Sequence, residues 1–451
     1  MTHATPEGTA SFFKKRNYRN EKFLEASWQA RLPNGLTVSR LGVGTYRMAA
    51  GIKGHFDALR EALLSGINVI DTALNFAGGQ SLELTGAVLG ELTSAGRLRR
   101  EACVLLLKAG LIEGPWIKAL SRYPLHWLNE EEAYSIHPHT LAAGLDLGLK
   151  RLGQKTIDIF YLQNPEWLLQ IGVSDDELAS QLSHAFAACE EFRKEKKIQH
   201  YGISVSNLSL FRAIPPREML KLAGPGFMGF QYPFNLLEKE MHQTFVATLK
   251  ELKRLDHVYL CGLRPLNAAR EGQICRLAES LPTVPAETLQ ASLMQDLADL
   301  RRMEMQFMAD VGFQFDGRFP ALSVLYENFR QEILSREHFR ANRSLLSGTV
   351  GRTLAALARS GAHSEQVEFY RQLCNQLFLR WEKTAALRGL DSLKSLRSEL
   401  DIALPGLPLS LQAILPLLPD GPQTILVGMR RTEYVQQLTR IFSLSSQKTV
   451  V

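Results

Sequence analysis

Two charged residues close apolar runs in this chain. Asp71 follows the largely apolar residues 66–70, and Lys108 follows the apolar run 102–107. A carboxylate and an ammonium at strand ends can share a charge-assisted hydrogen bond at a reactive site, or serve as a purely structural ion pair. Downstream, Arg430 and Arg431 precede a helical stretch containing Tyr434 and Val435. Guanidinium forks near a helix N-terminus suit a phosphate, although two solvated arginines read the same way. His137-Pro-His139 has no carboxylate at recognisable ligand spacing, so no metal site is expected. Cys103, Cys189, Cys261, Cys275 and Cys374 are scattered and never form a C-x-x-C pair. Reduced thiols in a reducing compartment are expected rather than disulfides.

The elements that must position these groups alternate. From residue 35 to 267, short apolar runs alternate with amphipathic helical stretches, which argues for parallel βα units. Strands are predicted at residues 38–43, 67–70, 102–107, 156–162, 198–204, 228–232 and 258–263, with an eighth at 424–427. Helices are predicted at 55–65, closed by Gly66, at 82–92, and at 140–152 before Gly153. A capping box from Ser174 to Glu177 opens another, with Leu178, Leu182, Ala185, Phe186 and Cys189 at helical spacing.

The interval between Leu266 and Thr424 is too long for a βα loop of a compact domain. It lacks proline between Pro320 and Pro405 and carries helical patterns at Leu289, Leu293, Leu297, Leu300 and at Val367, Tyr370, Cys374, Leu377, Trp381. Ser364 is placed to cap the second pattern, and the aromatics read as core. The expected division is an N-terminal extension at 1–34, a barrel at 35–267 and 405–451, and a helical insertion subdomain at 268–404. Such an insertion would roof the catalytic face or bind a protein partner.

Charge excludes some classes. With 52 basic against 46 acidic residues, the net charge of +6 is too mild for a nucleic-acid binder. No apolar run approaches the ~20 residues of a membrane span. Lys14, Lys15, Arg16 and Arg19 are not followed by an apolar h-region, so no secretory signal is read. A cytoplasmic location is expected, with the mitochondrial matrix as the weaker alternative.

Several segments occur in order, each at a strand end: Leu41-Gly-Val-Gly-Thr45, Asp71-Thr-Ala-Leu-Asn-Phe76, Lys108, Tyr161-Leu-Gln-Asn-Pro-Glu166 and Leu426-Val-Gly-Met-Arg430. Together they resemble the aldo-keto reductase superfamily, particularly its long bacterial-type members. The resemblance implies an α/β fold, a (β/α)8 TIM barrel with a large helical insertion between strand 7 and strand 8. It also implies hydride transfer from NAD(P)H to a carbonyl, assisted by an Asp, Tyr, Lys and His tetrad. Carried over, Asp71 and Lys108 match, whereas the Tyr position is Phe76 and the His position is Gln163. A phenyl ring has no proton to give, and glutamine cannot relay one at neutral pH. General acid catalysis typically supplies ~10²–10⁴-fold, so its loss leaves a feeble enzyme unless Tyr46, His137 or His139 substitutes.

The cofactor positions implied by the resemblance are Thr45, Tyr46, Ser204, Ser206, Asn207, Gln231, Arg264, Leu266, Gly428, Arg430 and Arg431. Gly202-Ile-Ser-Val-Ser-Asn207 departs from the family pattern. Either Ser204 keeps the serine role with Val205 replacing an asparagine, or Ser206 and Asn207 take over. Arg430 and Arg431 favour NADP(H) over NAD(H). The expected function is dinucleotide binding with weak or absent carbonyl reduction, as a pseudoenzyme, nucleotide sensor or scaffold. The alternatives are an aldehyde or ketone reductase with a substitute proton donor, and a purely structural subunit.

Overall fold

Eight parallel strands close on themselves in the computed structural model, which describes residues 3–17, 28–270, 273–278, 285–333, 335–399 and 406–443. In chain order they are β1 (Leu41–Gly44), β2 (Val69–Ala73), β3 (Val104–Ala109), β4 (Ile157–Gln163), β5 (Ile198–Ser204), β6 (Phe227–Pro233), β7 (Tyr259–Leu263) and β8 (Thr424–Gly428). Each pairs with the next, and β8 pairs back to β1, with Val427 opposite Val43. This is a (β/α)8 TIM barrel. Arg19, Lys22 and the boundary expected at 404/405 lie outside the described residues.

Two strand expectations are corrected. Val38 is not in the first barrel strand, because Thr37–Ser39 pairs antiparallel with Gln29–Arg31. Asn68 takes the bonds a continuous strand would use, accepting from Ser39 N at 2.8 Å and donating to Thr37 O at 2.9 Å. Asp71 lies inside β2 rather than at its end, since the ladder with β3 continues through Thr72 and Ala73.

Barrel interiors demand shape matching, and the glycines of β5 and β6 supply it. A Cβ on Gly202 would lie 2.7 Å from the Tyr161 ring and 2.2 Å from Gly229 O; one on Gly229 would lie 1.9 Å from Tyr259 O. Small residues on two strands thus admit two buried tyrosines from their neighbours. Val69, Val104, Leu106, Ile159, Tyr161, Met228 and Tyr259 form one cluster with Ala4, Leu36 and Val38, so the N-terminal segment and hairpin pack on this core. Asp158 fastens that end, accepting from Ala4 N at 2.6 Å, Leu105 N at 2.7 Å and Arg100 Nη2 at 2.9 Å.

The helices α1 (Lys53–Leu64), α2 (Gln80–Ser94), α3 (Pro138–Leu152) and α4 (Asp175–Lys194) follow the first, second, third and fourth strands. Gly66, at φ 108°, allows the chain to turn from α1 into β2. Ser174 accepts from Glu177 N at 3.3 Å, and Leu178, Leu182, Ala185, Phe186 and Cys189 form the buried stripe of α4.

Residues Asn267–Leu409 make a second compact unit, between β7 and β8 in sequence. It contains a hairpin (Asn267–Arg270 with Gln273–Arg276) and helices α5 (Ala286–Val311), α6 (Leu322–Phe329), α7 (Arg336–Arg359) and α8 (Ser364–Glu399). Its own core gathers Leu293, Leu297, Leu300, Tyr370, Cys374, Leu377 and Trp381. Inside it, buried Glu304 accepts from Tyr370 Oη at 2.7 Å and Ser323 N at 3.2 Å. Ser364 is the first residue of α8 rather than its cap. Among the described residues, no helix is long and apolar enough to cross a membrane.

Candidate active site at the strand ends

The β2–β3 ladder sets Ala73 opposite Lys108, and the two charged side chains meet across it. Lys108 Nζ donates to Asp71 Oδ2 at 2.6 Å, and both residues are buried. The other carboxylate oxygen, Oδ1, accepts from Gln231 Nε2 on β6 at 3.2 Å. Beyond β2 the chain reverses through Ala77, Gly78 and Gly79, all at positive φ (49°, 63° and 89°). This turn sets the Phe76 ring 5.0 Å from Lys108 Nζ, a cation–π contact. The lysine thus faces an aromatic carbon face.

The Tyr46 ring lies edge-on to Phe76 with centroids 5.1 Å apart. Tyr46 is 60% exposed and Phe76 only 5%. Thr45 serves the frame: its N and Oγ1 donate to Asp71 O at 3.0 and 2.9 Å, and its hydroxyl lies 2.6 Å from Ser81 Oγ. Ser81 also meets Thr72 Oγ1 at 2.9 Å, tying α2 to β1 and β2. Sequence reading missed Ser81 because nothing local marks it.

Gln163, Ser204 and Gln231 form a lateral row, since Ser204 is in register with both glutamines. Gln163 and Gln231 are buried, and among the described residues no donor reaches either amide oxygen. The Gln163 backbone is fixed by Tyr134, whose hydroxyl donates to Gln163 O at 2.7 Å. Tyr161, one layer below, is fully buried, and burial, with Cys261 and Asp71 adding to it, pushes its phenol far above the usual range. It keeps its proton at neutral pH.

The loop after β5 is held from two sides. Ser206 N and Oγ donate to Glu166 Oε1 at 2.6 and 2.7 Å, and Ser206 O accepts from Arg264 Nη2 at 2.7 Å. Asn207 Oδ1 is engaged locally by Ser209 N at 2.8 Å and by Ser209 Oγ. Of the two alternatives for this loop, the geometry therefore leaves Ser204 in the row while the Ser206 hydroxyl and the Asn207 carbonyl are committed elsewhere. Arg264 has φ 54° and also approaches Glu238 at 3.8 Å. Sequence reasoning gave Glu166 no role of its own, although its acidic side chain directly after Asn164 and Pro165 was the available signal.

The remaining residues are spread around the rim. Leu266 is half-buried, and Gly428 is exposed with open space around its Cα. Arg431 occupies the N-cap of α9 (Thr432–Thr439), its guanidinium 5.8 Å from the Tyr434 ring. Burial lowers the His55 pKa, and the charges of Arg430 and Arg431 lower it further, while Ala49 N donates to His55 Nδ1 at 3.0 Å. The two arginines and His55 are thus neighbours. His137 caps α3, accepting from His139 N at 3.3 Å. Among the described residues, no group of three or more His, Cys, Asp or Glu could hold a metal ion.

The Aldo/keto reductase family model matches residues 40–257, which run from β1 to the approach of β7. This part of the chain is similar to the aldo/keto reductase family. Aldo-keto reductase YhdN of Bacillus subtilis is 25% identical over 225 residues, covering 49% of this chain and 57% of that protein. An NADH-specific methylglyoxal reductase of Escherichia coli is 26% identical over 176 residues, covering 37% and 48%. The chain thus spans about half the length of these curated relatives. Similar solved structures include an aldo/keto reductase from Klebsiella pneumoniae in complex with NADP and acetate, at 14% identity, covering 93% of this chain and 92% of that one, with a TM-score of 0.45. Another is the glycerol dehydrogenase AKR11B4 from Gluconobacter oxydans, at 17% identity, covering 94% and 93%, with a TM-score of 0.47.

Proposed function

We propose that this aldo/keto reductase barrel binds a nicotinamide dinucleotide at its C-terminal mouth and reduces simple carbonyls weakly or not at all. The observation that carries this reading is the Phe76 ring at 5.0 Å from Lys108 Nζ. The Asp71–Lys108 pair that would lower a phenol's pKa is in place, and the phenol is not. Gln163 can orient a carbonyl through its amide but supplies no proton. When bound, the dinucleotide would supply hydride.

The residues fit such a cofactor. The Gln231 amide is oriented by Asp71 through its Nε2, so its carbonyl oxygen is left to accept from a carboxamide, beside the Ser204 hydroxyl. Arg430 and Arg431 would receive a 2′-phosphate, which favours NADP(H) over NAD(H). A relative named as NADH-specific and a solved structure with NADP make the preference a matter for direct measurement. In this reading the protein is a cytoplasmic nucleotide sensor or scaffold. The 267–409 unit would carry a protein partner on the face of α5 that exposes Met294, Met305 and Met308.

A second reading rests on Tyr46. Its ring stacks edge-on against Phe76, so its hydroxyl is the surrogate acid if turnover is observed. Calorimetry with NADPH and NADH, paired with aldehyde turnover assays, tests both. Micromolar NADPH binding with negligible turnover is expected. Phe76→Tyr combined with Gln163→His should then raise carbonyl reduction by ~10²-fold or more. Should wild-type turnover be substantial and fall in Tyr46→Phe, the surrogate reading replaces the first. Absence of dinucleotide binding would sink the cofactor reading.

A further inference from the structure

We infer that Glu166 is a positioning residue for the dinucleotide site, latching the loop after β5 through Ser206. The inference rests on the dinucleotide reading above and assigns a role to a residue outside the tetrad positions. Glu166 is wholly enclosed, so it cannot touch a ligand and must act through its neighbours. One of its oxygens, Oε1, takes both donors of Ser206, at 2.6 and 2.7 Å. Arg264 takes the Ser206 carbonyl from the other side at 2.7 Å. Glu166 follows β4, Ser206 follows β5 and Arg264 follows β7, so one serine ties together three strand ends two residues from Ser204. A surface loop held only by its own turn would leave Ser204 and its backbone free to drift; preorganised placement is what cofactor binding needs.

The latch depends on charge. Hydrogen bonds to an ionised carboxylate are about twice as strong as neutral ones. Burial raises the Glu166 pKa, opposed by its bonds from Ser206 and the nearby Asn207 backbone. Above that raised range the latch is anionic and tight; below it the carboxyl is neutral and its grip weakens. The other titratable or charged groups here are the Tyr134 phenol, which feels Glu166 and stays protonated, Arg264 across Ser206, and Glu238 at 3.8 Å from Arg264.

Glu166→Gln in the full chain keeps the shape and one acceptor oxygen but removes the charge. Its NADPH Kd at pH 8 should be about 10-fold weaker than wild type, the worth of one charge-assisted bond. As pH falls, wild-type affinity should converge on that of the variant. The cofactor's own 2′-phosphate titrates equally in both proteins, so the ratio isolates Glu166. Hydrogen exchange of residues 204–209, measured without dinucleotide, should be faster in Glu166→Gln. Equal affinities at pH 8, or a ratio that stays constant with pH, would overturn the proposal; a merely structural role shifts the melting temperature and leaves the ratio flat. If wild type binds no dinucleotide, the cofactor reading fails and the role in positioning it falls too, while the exchange data still show whether the loop is latched. If Glu166→Gln does not fold, Ser206→Ala should weaken NADPH about 3-fold by removing one of the two donors, and unchanged affinity would overturn the proposal.

Discussion

Lys108 and Asp71 carry opposite charges in a place that excludes water, so each depends on the other. Lys108→Met leaves the Asp71 side chain to Gln231 Nε2, and breaking such a buried pair costs ~3–5 kcal/mol. The double variant Asp71→Leu with Lys108→Met should recover much of that loss in urea unfolding, because no charge is then stranded. A double variant as unstable as the single would show that the pair's bonds matter more than its desolvation. The same arithmetic explains how an ion pair can persist beside a phenylalanine: stability alone supplies a reason to keep it. What was legible here was the residue types and the strands that carry them. The Gln231 contact with Asp71 was not, because 160 residues separate them.

At the level of elements, the β5–β6–β7 wall tests the packing argument. Gly229→Ala would place a methyl 1.9 Å from the Tyr259 carbonyl oxygen, on backbone that cannot rotate away. We expect a loss of several kcal/mol, or no folded protein, read by thermal melting and soluble yield. Gly90, exposed in α2, meets nothing within 4 Å of an added Cβ. Gly90→Ala should therefore stabilise the protein by up to about 1 kcal/mol, the helix-propensity difference between the two residues. Equal effects at the two sites would refute the close approach inside the barrel. Helices were legible because period and caps are local, as in Ser174 with the stripe of α4. The break between residues 39 and 41 was not, because it depends on Asn68 from a different strand.

Across the whole molecule, pH reports on burial. His200 on β5 has its pKa lowered to about 4, chiefly by burial, with Arg193 adding and a bond to the Gly226 backbone opposing. The unfolded chain binds this proton near pH 6.5 and the folded chain near 4, so stability is full above 6.5 and falls as pH drops between them. The loss from this site approaches ~3 kcal/mol at the low end. His200→Gln should flatten that part of the urea-unfolding profile between pH 7 and 4.5; an unchanged slope would mean the histidine is solvated. Glu166 acts with the opposite sign, since a raised carboxyl pKa favours the folded chain as pH falls toward the ordinary carboxylate value.

Chemistry that is local in sequence could be read before any coordinates: apolar runs ending in Asp71 and Lys108, a phenylalanine at position 76, a glutamine at 163, and helical periodicity between Leu266 and Thr424. Those features follow from residue type and spacing; the barrel with a helical insertion was what their resemblance to a known family implied. Closure of the barrel decided the rest. Strand register put Gln163, Ser204 and Gln231 in one row, turned the Phe76 ring onto Lys108, and brought Glu166 to Ser206 across 40 residues. Such pairings are set by where strands lie beside each other, and no short-range pattern in the chain encodes that distance.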